Sequence, residues 1–141
     1  MSLISGPLWH GGACGLRAGD PLLPPSETKA FSRLTISVEE GLTDIAQRLD
    51  RVYATTDRAL GRAWASLFTP DGETFPGGAL YRVELEDPEP DADLRSSPGL
   101  SYEARRGRIL VVYDGHVPYD RKRLTYLQRL LAEHERRRAA D

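Results

Sequence analysis

The chain has 141 residues, a length that suits one domain with one sizeable core. Hydrophobic residues make up 40% and charged residues 28%, and the formal net charge of −2 gives no global attraction to nucleic acid or to an anionic membrane. No apolar run reaches membrane-spanning length, the first residues lack the basic, apolar and cleavage regions of a secretory leader, and a lone cysteine, Cys14, excludes an internal disulfide. These features lead to the expectation of a single domain over 1–141 in a reducing, cytoplasmic setting.

Pro7 to His10 reads as a short strand, stopped by a glycine- and proline-rich loop from Gly11 to Pro25. Phe31 to Ile36 alternates apolar and polar residues and predicts a half-buried strand. Ser37 and Glu40 have the spacing of a capping box for a helix over about Val38–Leu49, although Gly41 weakens it. Arg51 to Thr55 is short and rich in strand formers. Asp57 suits the N-cap of a helix running to Phe68, with Leu60, Trp64 and Leu67 on one face. Thr69 to Gly78 is turn-like. Leu80 to Leu85 alternates, with Tyr81, Val83 and Leu85 on one side. Glu86 to Pro98 is an acidic, proline-containing loop. Ser101–Ala104 predicts a strand, and the apolar run Ile109–Tyr113 predicts one covered on both faces. A terminal helix spans about 121–140, with Leu124, Leu127 and Leu131 as its stripe. This order is not a regular βαβ alternation. It points to an α+β fold with mostly antiparallel pairing.

The isolated motifs are weak. Gly11-Gly12-Ala13-Cys14-Gly15 has neither the Lys-Ser/Thr ending of a phosphate loop nor the spacing of a dinucleotide fingerprint. A lone histidine such as His10 is more often structural than functional. His116 and His134 have no partners at zinc-ligand spacing, so no metal is expected. Cys14 lies four residues from His10 with no protease signature around it. Arg121, Lys122, Arg123, Arg129 and Arg136 to Arg138 can contact phosphates, but such residues more often solvate a helix and complement its dipole.

The combination is more specific. Pro7-Leu8-Trp9-His10-Gly11-Gly12, followed by Leu16-Arg17-Ala18-Gly19-Asp20-Pro21-Leu22-Leu23, resembles the opening of the rifamycin ADP-ribosyltransferases, with their His-Gly-Thr and Gly-Asp-x-Leu elements. Arg51-Val52-Tyr53-Ala54-Thr55 with Ala63-Trp64-Ala65 is similar to the family's tyrosine strand and the helix after it. Gly78 to Glu84 resembles the next strand, and Glu89-Pro90-Asp91-Ala92-Asp93-Leu94 stands where the family has Glu-Asp-Asp-Pro-Asn. Ser101-Tyr102 and Arg108 to Val112 resemble its Ser-Tyr-Arg element and following strand. The chain departs in having Gly12 for threonine, Glu103 for arginine and a shorter stretch before Ser101 that lacks Gly-Asn-Pro-Thr.

The resemblance implies an ADP-ribosyltransferase-like fold: split antiparallel β-sheets with flanking helices and a C-terminal helix. It implies NAD as co-substrate and an oxocarbenium-like state as nicotinamide leaves the ribose. His10 would bind an adenosine ribose hydroxyl, the Gly11 backbone the carboxamide, and the Tyr53 ring the nicotinamide face. Asp91 would stabilise the developing cation, with Asp93, Glu89 and Asp87 as alternatives, and Arg17 would meet the pyrophosphate. The acceptor would be a rifamycin-type hydroxyl, a protein or nucleic acid, or water, as in an NAD glycohydrolase. An interaction module without catalysis is the reading from another class.

Overall fold

Residues 6–24, 50–68, 77–91 and 99–140 are described by the computed structural model. Strands β1 (Leu8–Gly12), β2 (Pro21–Leu22) and β3 (Val52–Thr55) precede helix α1 (Arg58–Ser66). Strands β4 (Gly78–Leu85), β5 (Glu89–Pro90), β6 (Ser101–Ala104) and β7 (Gly107–Val117) follow, and helix α2 (Arg121–Ala140) ends the fold. The strands form one antiparallel sheet of order β2-β7-β4-β1-β3-β6-β5, so the architecture is α+β. Its two halves meet at a single bridge, Trp9 opposite Thr55. On its other edge β1 keeps register with β4 from Leu8–Val83 to Gly12–Ala79.

Local chemistry explains the helices. The Asp57 carboxylate caps α1 by accepting from the Ala59 and Leu60 amides at 2.9 and 3.3 Å, as its position predicts. Leu60, Trp64 and Leu67 then bury against Leu124 and Leu127 of α2, each such side chain gaining about 1.5–3 kcal/mol from leaving water. The helix ends at Ser66, two residues short of Phe68, with Leu67 as its C-cap. The Leu131 side chain lies outside the described residues.

Small residues let α1 lie directly on β1. A Cβ added to Gly11 would sit 2.2 Å from the Gly61 carbonyl and 2.4 Å from the Ala65 nitrogen. The sheet's other face carries the second apolar layer, with Leu8, Val52, Ala54, Tyr81, Val83 and Ile109 packed together. The predicted alternation of Tyr81, Val83 and Leu85 onto one side therefore holds.

Three expectations need correction. The acidic loop contains the edge strand β5, which places Pro90 where a missing amide costs no ladder bond. The strand expected at Ile109–Tyr113 extends over Gly107–Val117 and is not covered on both faces: Leu110, Val111, Val112 and Tyr113 are each about two-fifths exposed. An unbroken apolar run carries no face information, and β2 flanks β7 only at Gly107 and Arg108. The first strand runs to Gly12, through what reads as loop. The strand predicted at 31–36, the helix at 38–49 and residues 69–76 of the turn predicted at 69–78 lie outside the described residues; Gly78, expected to end that turn, opens β4. Among the described residues no helix is long and apolar enough to cross a membrane.

Candidate active site

The site builds up where β1 and β3 part beyond their single bridge. His10 shares a face with its β4 neighbour Tyr81, the two rings lying 6.5 Å apart at 26°. Its Nδ1 lies 2.7 Å from the Tyr53 carbonyl oxygen. A carbonyl only accepts, so Nδ1 carries the proton, and in the neutral ring Nε2 is left as an acceptor. A Cβ on Gly12 would fall 2.6 Å from that Nε2. The glycine at this position thus makes room for the ring as it stands, and a threonine would require the ring to turn.

Tyr53 is buried in β3, 5% exposed, two residues before Thr55. Thr55 faces α1, lying against Gly61, so alternation sends the Tyr53 side chain to the α1 side. On β6, Glu103 stands directly opposite Tyr53, and Ser101 opposite Thr55. Asp91 follows β5, its amide donating to the Ser101 carbonyl at 3.0 Å. The Ser101 hydroxyl lies 3.0 Å from the Asp91 carboxylate and 3.4 Å from the Ala54 carbonyl, so its one proton goes to the nearer, charged acceptor. Asp91 and Glu103 are 3% and 5% exposed.

The structure thus brings Tyr53, Asp91 and Glu103 to one face of neighbouring strands. The His10 ring leaves from the opposite face and joins Tyr53 through the backbone carbonyl. Gly11 lies between these faces on the β1 edge turned towards β3. On that edge only Trp9 has a strand partner among the described residues. Glycine at position 11 is demanded first by the approach of α1. Of the alternative acids, Glu89 is exposed on the edge strand, and Asp87 sits in an exposed turn at a φ of 45°. Asp93 lies outside the described residues.

The loop after His10 is tied to the sheet. The Tyr81 hydroxyl donates to the Ala13 carbonyl at 2.5 Å and accepts from the Leu16 amide at 3.3 Å. Burial pushes the Tyr81 phenol above its ordinary range, against the smaller opposing pull of the Leu16 amide. The Gly-Asp turn is pinned to β7: the Gly19 amide donates to the Ile109 carbonyl, and the Ile109 amide to the Asp20 carbonyl, at 2.8 and 2.9 Å. Gly19 needs its positive φ of 92° for this turn. Asp20 also accepts from the Arg17 amide at 2.8 Å, and Arg17 itself is exposed.

Sequence reasoning gave no role to Tyr81, and it noted Ser101 and Glu103 only as an element of the resemblance and a departure from it, without placing them beside Asp91 and Tyr53. Strand alternation puts Tyr81 in the core but says nothing of its hydroxyl. The signal for Glu103 was its place two residues after Ser101, on the same strand face. Among the described residues, no three His, Cys or carboxylate side chains are grouped to hold a metal ion. No known protein family matches the chain, and no curated protein matches it.

Proposed function

We propose that the protein is a mono-ADP-ribosyltransferase that takes NAD as co-substrate and uses the parting of β1 and β3 as its dinucleotide cleft. The observation that carries this reading is the placing of Tyr53 and a buried Asp91 on one face of neighbouring strands, with the His10 ring, which leaves from the opposite face, joined to the Tyr53 backbone carbonyl. Separation of β1 from β3 opens the edge of β1 at Gly11, where a planar carboxamide can pair with backbone as a strand would. The Tyr53 ring is buried on the α1 side and would have to be uncovered to stack on the cationic pyridinium.

The chemistry asks little of a nucleophile. Nicotinamide is bound as a cation and departs neutral, leaving positive charge on the ribose carbon. A buried carboxylate fixed before the reaction stabilises that charge without reorganising solvent. Asp91 is held for this role by the Ser101 hydroxyl, and the geometry favours it over the exposed Glu89 and Asp87. Glu103, opposite Tyr53, is the second acid placed to orient the acceptor or the ribose. By the resemblance, His10 would bind a ribose hydroxyl of the adenosine half.

The acceptor of first choice is the hydroxyl of a rifamycin-type molecule; protein, nucleic acid and water are the rivals. Incubation with NAD and rifampicin, followed by mass spectrometry, separates them. The drug gaining one ADP-ribosyl unit supports the first choice, and free ADP-ribose without any acceptor supports a glycohydrolase. Intact NAD beside unmodified drug under all conditions contradicts the reading and favours a non-catalytic binding module.

A further inference from the structure

A concave surface lies on the α1 side of the sheet, where α1 and α2 both begin. It is an open groove of about 660 Å³, within the range of small-ligand sites. Its floor is aromatic. Trp9 and Tyr113 meet edge to face, with centroids 4.9 Å apart at 87°, and Tyr126 of α2 lines the far wall. Tyr113 is 43% exposed and Tyr126 37%, so both offer surface to a ligand.

Cations rim this floor. The Arg58 guanidinium lies 5.3 Å from the Tyr113 ring centroid and 5.9 Å from that of Trp9, and donates to the Tyr113 hydroxyl at 2.7 Å. It has no carboxylate partner among the described residues. The Lys122 ammonium likewise has none. Two further groove cations are neutralised: Arg62 pairs with Asp114 at 2.6 Å, and Arg123 with Asp120 at 3.5 Å. Asp57 also lines the groove, but its oxygens are engaged by the α1 amides and the Tyr126 hydroxyl. Both helix starts are closed by their own aspartates, so the available charge belongs to side chains rather than to backbone amides.

We propose that this groove binds a nucleoside phosphate, its base packed against the exposed parts of the Tyr113 floor and the Tyr126 wall and its phosphate held by Arg58 and Lys122. Exposed aromatic faces beside unpaired cations are the combination that takes a flat base joined to a phosphate. The surplus charge is local and the chain as a whole carries −2, which suits one or two phosphates rather than a long polyanion. The site is separate from His10, whose ring faces the other side of the sheet, and it does not depend on NAD turnover. A free nucleotide and the 5′-phosphorylated end of a single strand present the same chemistry.

Isothermal titration of the full chain with AMP, adenosine, inorganic phosphate and a 5′-phosphorylated tetranucleotide tests this. AMP or the tetranucleotide should bind at least tenfold more tightly than adenosine or phosphate alone. Tighter binding of the tetranucleotide identifies a strand end as the source, and equal or tighter binding of AMP a free nucleotide. The Arg58→Gln/Lys122→Gln double variant, altered only at exposed positions, should lose at least tenfold while keeping its melting temperature, and His10→Ala should bind as the parent does. Adenosine binding as well as AMP, or no heat from either phosphorylated probe at millimolar concentration, overturns the proposal. So does AMP binding that survives the double variant, or that disappears in His10→Ala, which would place AMP in the NAD cleft instead.

Discussion

Replacing Gly11 with alanine tests the packing on which the site rests. The new methyl would lie 2.2 Å from the Gly61 carbonyl, 2.4 Å from the Ala65 nitrogen and 2.9 Å from the Ala65 Cα. All three are backbone atoms, so no side chain can turn aside. Restoring an ordinary contact of 3.4 Å needs α1 to withdraw by about 1 Å (3.4 less 2.2). A gap of that width forfeits roughly a quarter to a half of the dispersion energy between α1 and β1. Overpacking of this kind costs about 3 kcal/mol, or roughly 10 °C in melting temperature for a chain of this size. Urea denaturation followed by tryptophan fluorescence reads it directly, since Trp9 is on β1 and Trp64 on α1. Gly61→Ala is the control. Its methyl would meet the side chains of Trp9 and Leu80 at 3.0 and 3.1 Å, and alanine's better helix propensity offsets about 1 kcal/mol of that crowding. Gly11→Ala within about 0.5 kcal/mol of the parent, or less damaging than Gly61→Ala, would refute the reasoning.

Gly12→Ala acts differently, because its methyl meets only the tip of the His10 ring at 2.6 Å. Stability should fall by less than about 1 kcal/mol while NAD affinity drops as the ring turns, measurable by paired melting and calorimetry. Tyr81→Phe removes the hydroxyl that links Ala13 and Leu16; it should cost about 1 kcal/mol in urea titration and speed amide exchange in the loop at 13–16. On the acid side, the Arg62 hydrogen bond holds Asp114 below the ordinary carboxylate range. A lowered folded value stabilises above the unfolded pKa of about 3.9 and loses that contribution as pH falls through the folded value. The carboxylate is a third exposed, so solvent screening limits the loss to under about 1 kcal/mol. On the alkaline side, burial raises both Tyr81 and Tyr126. Raised phenols stabilise fully below about pH 10, and stability should decline as pH rises through their folded values. A melting temperature that climbs between pH 10 and 11 contradicts this.

Much of the architecture was legible because local rules and packing agreed. Asp57 caps the helix that its position predicts, and Leu60, Trp64 and Leu67 bury on the expected stripe. The alternation of Tyr81 and Val83 reads correctly because one face of β4 is packed into a uniform apolar layer. The apolar run in β7 misleads because hydrophobicity without alternation cannot say whether a neighbour covers it. Pro90 hides a strand, since only the tertiary position of an edge makes its missing amide harmless. For the site, the sequence places His10, Tyr53 and Asp91 on separate segments, and their relation depends on register. One residue of slip along β3 would move Tyr53 to the face of His10. The hydroxyls of Ser101 and Tyr81 were invisible for the same reason: their partners are set by strand pairing, not by local sequence.

Asp91 offers the most direct test of the enzymatic reading. Asparagine at 91 keeps an oxygen to accept the Ser101 proton, so folding should be preserved while the negative charge is lost. Nicotinamide release from NAD, measured chromatographically for parent and Asp91→Asn, should be clear in the first and about 10²–10³-fold slower in the second. Equal rates in the two proteins, or no release from the parent with any acceptor tried, would contradict the account.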